Sequence, residues 1–166
     1  MRRALLALLF CVAGLACGKE GSGDRSLLEL RPVLAATAPP CPAVTKAPKK
    51  DKVVVLPLVS PDGKVAECLE LGRAIVDTDD VRSATVGDTH AGEPALLVVF
   101  GAAGSGSLDN YAQHHQGQRL AIVADGNVVN APVVRFTSFA GRVQVTGLSK
   151  EKTADLFRRL NDVIKS

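Results

Sequence analysis

Few residues in this 166-residue chain carry side chains suited to acid–base, nucleophilic or metal chemistry, and their spacing decides what they can do. The three histidines are His90, His114 and His115. Neighbouring side chains on a helix point about 100° apart, so His114 and His115 do not converge on one ion. No HExxH and no paired cysteine spacing accompanies them, so no metal site is expected and they read as surface residues. Asp125-Gly126 lies between apolar runs and reads as a hairpin turn rather than a catalytic acid, because a primed turn needs positive φ at both positions. Gly101–Ser107 is rich in glycine and serine, but no Gly-Lys-Ser/Thr follows, so no phosphate cradle is expected. It reads as a flexible loop, with Ser105 and Ser107 capping the helix that follows rather than acting as nucleophiles. No cofactor and no enzymatic activity are expected; a small hydrolase is the remote alternative.

The four cysteines divide into two pairs. Cys11 and Cys17 fall in MRRALLALLFCVAGLAC, where Arg2 and Arg3 precede an apolar run, Ala4–Cys17, of 14 residues. A membrane span needs about 20, so residues 1–17 read as an export signal. The ending Gly14-Leu15-Ala16-Cys17, followed by Gly18, resembles a bacterial lipoprotein signal, with Gly14 where leucine is usual. That resemblance implies acylation of Cys17 by palmitate-like chains and membrane attachment through lipid. Gly18, rather than aspartate, favours the outer membrane, facing the periplasm. Gly14 and Ala16 also fit an ordinary cleavage site. Cys41 and Cys68 remain as an even pair in an oxidising compartment. A disulfide between them closes a loop of about 28 residues, worth roughly 3–4 kcal/mol.

Composition bounds the remaining possibilities. Hydrophobic residues make up 46% and charged residues 22%, which excludes a wholly disordered chain. The formal charge of +3 falls by two when Arg2 and Arg3 leave with the signal, and with one Tyr and no Trp there is little to bind nucleic acid. Residues 18–52 hold five Pro, three Gly and eleven charged residues, and read as a flexible linker, with a helical turn at Ser26–Leu30. As a coil this segment reaches about 30–35 Å. The basic run Lys46, Lys49, Lys50 and Lys52 reads as part of that solvated linker.

Residues 53–166 are enough for one core. Val53–Leu58 and Ala95–Phe100 read as strands, the second as a central strand buried on both faces. Thr78-Asp79-Asp80 has the composition of a helix start, with Thr78 as the cap. Leu108, Tyr111, Ala112 and His115 share one face of a helix that Gly117 terminates. Leu120–Ala124 and Val128-Val129 flank the Asp-Gly turn, and Pro132 assigns the returning strand to an edge or bulged position. Arg142–Thr146 alternates as a half-buried strand. Ser149 caps a final helix whose stripe is Ala154, Leu156, Phe157, Leu160, Val163 and Ile164. The pattern predicts an α+β fold, a mostly antiparallel β-sheet with two principal helices on one face.

The order Gly117, Leu120-Ala121-Ile122-Val123, Asp125-Gly126, Ala131-Pro132, Gly141, Thr146-Gly147, Ala154 and Leu156 resembles the head subdomain of the first periplasmic region of SecD and SecDF. Agreement extends more weakly through Asp79–Ala84 and Ala95–Phe100, to roughly 90 residues. Gly117, Asp125, Gly126, Pro132, Gly141 and Gly147 are the motif positions and carry backbone geometry. The resemblance implies a translocation factor that assists polypeptides leaving the Sec channel through a mobile head and a proton-conducting membrane bundle. This chain departs from the pattern in having no transmembrane helices or base part, so motor activity is not expected of it. The leading expectation is a membrane-tethered, non-enzymatic module contacting exported or extended polypeptides, or Sec-related proteins, by strand addition near Asn127–Val134. A structural envelope lipoprotein without polypeptide binding is the alternative.

Overall fold

The computed structural model describes residues 26–42, 52–60 and 63–166. Among these, nine strands and two α-helices follow one another as β1 (Leu28–Thr37), β2 (Val54–Val59), β3 (Val65–Leu71), β4 (Val76–Asp77), β5 (Val81–Asp88), β6 (Pro94–Phe100), α1 (Ala102–His114), β7 (Leu120–Ala124), β8 (Asn127–Asn130), β9 (Arg142–Val145) and α2 (Lys150–Ile164). The fold is α+β, as expected, but its strands form two sheets. The larger has the order β3-β2-β8-β7-β1-β4, and β1 also pairs with β3, closing five strands into a ring. The smaller has the order β5-β6-β9.

β1 corrects the linker reading. Leu28 and Leu30 are fully buried, and the first half of β1 pairs with β7 from Leu28↔Ala124 to Pro32↔Leu120. A bulge between Val33 and Ala35 turns the second half onto β3, with Thr37 opposite Cys68. Charges and prolines masked the alternation Leu28, Leu30 against Glu29, Arg31, which is a strand period. Ser26–Leu30 accordingly enters a strand, not a helical turn.

Two cores follow from the period of two. Leu28, Leu30, Leu120 and Ile122 face one way, into a core shared with Leu96, Val98 and Phe100 of β6, Leu108, Tyr111 and Ala112 of α1, Val145 of β9, and Leu156 and Leu160 of α2, with Phe157 packed against it. Both helices therefore serve the same core. The opposite face of the ring gathers Leu56, Leu69, Leu71, Ala121, Val123, Val128 and Ala131. Glu29 and Arg31 stand opposite Val123 and Ala121 in register, so a charged pair lies on this second face. Arg31 is 0% exposed and Glu29 4%, with Nε 2.5 Å from Oε2. One Arg31 terminal nitrogen donates to the carbonyls of Lys52 and Gly72, each at 2.8 Å, tying the start of β2 to the end of β3.

Helix boundaries depart from the sequence expectation for tertiary reasons. Residues 102–107 are helical, not a loop, and Gly101 is an N-cap with no side-chain bond. A Cβ on Gly104 would lie 2.9 Å from Asp80 Cβ, so glycine is what lets α1 rest on the preceding turn. Ser105 and Ser107 bond the carbonyls of Phe100 and Ala103 rather than capping. Thr78–Asp80 is a single 3-10 turn capped by Asp77, not Thr78. Ser149 caps α2 as expected, accepting from Lys152 N at 3.3 Å. Its buried stripe takes Thr153, Leu156 and Leu160, while Ala154 and Val163 are exposed. β6 is central in its sheet, but Leu97 opens to solvent.

Candidate functional site: a free strand edge

Among the described residues three strands border their sheets. β4 has two residues, β9 four and β5 eight. Alternate residues of an edge strand direct their N–H and C=O groups away from the sheet, which templates pairing with another extended chain. β5 contains no proline and no lysine, the residues that commonly blunt such an edge. Arg82, Ser83, Thr85, Val86, Gly87 and Asp88 are all exposed.

Both ends of this edge are fixed. At its start Val81 is buried opposite Phe100. The preceding turn is closed reciprocally, Asp77 Oδ1 accepting from Asp79 N at 2.9 Å and Asp80 Oδ2 accepting from Asp77 N at 3.1 Å. Gly101 N then donates to Asp80 O at 2.8 Å, joining the turn to α1. At the far end the β5–β6 hairpin closes through Thr89 N to Glu93 O at 2.8 Å, and Thr89 Oγ1 accepts from Ala91 N and Glu93 N. Between them Ala84–Asp88 pair without interruption with Pro94–Val98. Ordering costs are met before a ligand arrives, which favours affinity.

Asn127–Val134 is not the edge that the sequence led us to expect. β8 pairs with β7 on one side and, in parallel, with β2 on the other, at Leu58↔Val128. Pro132 lies beyond the strand, where Val133 forms a single bridge to Arg119. The strand is interior because β2, far from it in sequence, pairs along its other side.

The other sequence-predicted positions scatter. Cys17 lies outside the described residues, as do Lys46, Lys49 and Lys50. Cys41 and Cys68 are disulfide-bonded, with Cα atoms 5.3 Å apart. Asp125 and Gly126 form the β7–β8 turn with φ of 51° and 75°. Gly117 lies just past α1 with φ 81°. Gly141 precedes β9 and Gly147 follows it. A Cβ on Gly147 would lie 2.6 Å from Val129 O, and one on Gly141 2.4 Å from Ser105 Oγ. His90 sits exposed in the β5–β6 hairpin. His114 and His115 turn their Nδ1 atoms toward the carbonyls of Asn110 and Tyr111. His115 stacks on Tyr111, ring centres 4.3 Å apart, and burial pushes the Tyr111 phenol pKa up.

An open groove of about 640 Å³ lies where the β7–β8 turn meets α2, lined by Asp125, Asn127, Ser149, Glu151, Lys152 and Asp155 over apolar Val128, Val129 and Leu156. No histidine lines it. Arg159 grips both carboxylate oxygens of Asp125 and also Asp155 Oδ2 at 2.8 Å, so the turn acid is a structural partner of α2. The hydrogen bond to Asp125 raises the Arg159 pKa against the opposing effect of burial. The Glu151 carboxyl is held below its ordinary range by its own backbone N–H and by Ser149. The Asp125–Arg159 contact spans 34 residues, beyond the reach of any local sequence rule.

No helix of the described residues is long and apolar enough to cross a membrane. The family model of the SecDF P1 head subdomain matches residues 55–161. A SecD protein translocase subunit of Rhodobacter capsulatus is 29% identical over 160 residues, covering 94% of this chain and 28% of that protein. One from Acetobacter pasteurianus is 35% identical over 80 residues, covering 48% of this chain and 15% of that protein. The chain thus spans under a third of the curated relatives it matches. A solved structure of SecDF, described as a membrane component that enhances protein export, superposes with a TM-score of 0.57 at 22% identity, over 83% of this chain and 63% of that one. SecDF in its super-membrane-facing form gives 0.54 at 22% identity, over 82% and 19%. The family match covers most of the chain and the fold agrees: this chain belongs to the SecDF P1 head subdomain family.

Proposed function

We propose that this chain is a non-enzymatic, lipid-tethered head module that contacts extended polypeptides outside the cytoplasmic membrane by strand addition at β5. The observation that carries the reading is the eight-residue border strand, six of whose residues are exposed and both of whose ends are fixed, with α2 packed against it. Strand addition takes its affinity from main-chain hydrogen bonds, which every polypeptide offers, and so suits a partner of many sequences. The relatives' role as protein translocase subunits supports a polypeptide as the partner. The tether is Cys17, acylated after signal cleavage, and it holds the domain beside the outer membrane, facing the periplasm.

Titration of a fluorescent, reduced and alkylated polypeptide with the purified domain tests the binding step. Of two adjacent residues in β5 one N–H faces outward, so Ala84→Pro and Thr85→Pro are compared, each checked for its unfolding midpoint. The variant that keeps its β6 pairing loses binding by about tenfold or more. Unchanged binding by both would place the contact elsewhere. Intact mass of the mature protein reports the tether: cleavage before Cys17 with added acyl mass supports it, and an unmodified Cys17 removes it.

A further inference from the structure

The β5 edge is complementary to itself. In an antiparallel pairing of two copies centred on Thr85, Arg82 of one stands opposite Asp88 of the other, Ser83 opposite Gly87, and Ala84 opposite Val86. The pairing repeats across the two-fold axis, so each dimer gains two Arg–Asp pairs and two Ala–Val pairs. Opposite charges facing across a strand pair stabilise it and like charges destabilise it. Arg82 and Asp88 are both exposed at the two ends of β5, and the residues between them carry no charge. Val86 is 44% exposed on the solitary domain and gains apolar cover from Ala84 of a second copy. Neither proline nor an inward charge interrupts the run, and its one irregularity against β6 lies at its start, between Val81 and Ser83.

We infer that β5 is occupied at rest by β5 of a second copy, forming a two-fold dimer with one continuous six-stranded sheet. The inference rests on the edge reading above and adds its regulation. An isologous contact of this kind closes after two copies, because each copy has used the edge it offers. The dimer protects an edge that would otherwise template aggregation. An arriving extended chain must displace the second copy, so binding of a client and self-pairing exclude each other.

Sedimentation velocity over a concentration series, without any polypeptide present, tests the dimer. The full domain is used, with Arg82→Glu, Asp88→Arg and the double charge swap. The unfolding midpoint of each variant is measured alongside, since both positions are exposed. The expected result is a reversible dimer that each single change weakens by roughly tenfold and that the double swap restores to within about threefold. A chain that stays monomeric to ~1 mM overturns the inference. So does a dimer that none of the changes affects, because its contact then lies elsewhere. Polypeptide titration of the Arg82→Glu monomer separates the two readings: binding there with no wild-type dimer leaves the edge function intact and removes only the self-pairing.

Discussion

Replacing Arg31 by methionine removes one half of a charged pair that solvent does not reach. The guanidinium is 0% exposed, bonds Glu29 at 2.5 Å, and donates to the carbonyls of Lys52 and Gly72. Methionine fills much of the space but leaves the Glu29 carboxylate in an apolar ring with its partner gone. Breaking a buried pair in this way costs about 3–5 kcal/mol, because one charge stays desolvated without compensation. For a domain of this size that is a large share of the 5–15 kcal/mol typical of native stability. It corresponds to a fall of roughly 10–20 °C in Tm. The double change Glu29→Leu with Arg31→Met removes both charges. It recovers most of the loss, since an apolar replacement of a whole buried pair is often neutral. It does not recover all, because the carbonyls of Lys52 and Gly72 lose a donor. Urea unfolding followed by circular dichroism gives the four free energies of the cycle. A single Arg31→Met variant with the wild-type midpoint would refute the placement of residues 28–37 inside the ring and return them to a linker.

Four further outcomes follow from particular contacts. Changing Cys41 and Cys68 together to serine, or reducing the oxidised protein, lowers stability by roughly 3 kcal/mol, read as a lower urea midpoint that reoxidation restores in the unmutated protein. Gly147→Ala destabilises by more than Gly126→Ala. Both carry positive φ, but only at Gly147 does the new Cβ meet a backbone oxygen at 2.6 Å; equal losses in parallel melts would contradict this. The Tyr111 hydroxyl is buried without a hydrogen-bond partner, so Tyr111→Phe leaves stability unchanged or raises it by up to about 1 kcal/mol; a clear loss in the melt would show a bonded hydroxyl. The depressed Glu151 pKa means that its contribution is present above the ordinary carboxylate range and fades as pH falls through the lowered value. Glu151→Gln flattens the acid limb of a stability–pH curve and leaves the neutral region little changed.

Much of the second half of the chain was legible because its signals are local. Asp125-Gly126 needs positive φ wherever it sits, Ser149 caps the helix three residues ahead of the N–H it accepts, and Val143 and Val145 alternate with polar neighbours. The first half was misread where composition outweighed period. Glu29, Arg31 and Pro32 look solvated, yet the pair neutralises itself inside the ring and Leu28 and Leu30 face the larger core. The misplaced edge has a separate cause: β8 is covered by the parallel pairing of β2 at Leu58↔Val128, a long-range contact that no local signal contains. The start of α1 was hidden for the opposite reason. Gly101–Ser107 has poor helix propensity, and contact of Gly104 with Asp80 is a long-range fact that no local rule contains. The β5 edge itself is a property of topology. In the sequence, Thr78-Asp79-Asp80 reads as the start of one or two helical turns ending before Thr85-Val86-Gly87, whereas the chain becomes a strand at Val81 because pairing with β6 overrides that local signal.

Amide hydrogen exchange along β5, with and without a permanently unfolded polypeptide, tests the central reading most directly. Measured on the Arg82→Glu domain at dilutions where it is monomeric, polypeptide should slow exchange at alternate amides between Val81 and Asp88 and leave β7 and β8 unchanged. Protection confined to the groove beside Asp125, or no change anywhere in β5, would contradict a polypeptide partner at this edge.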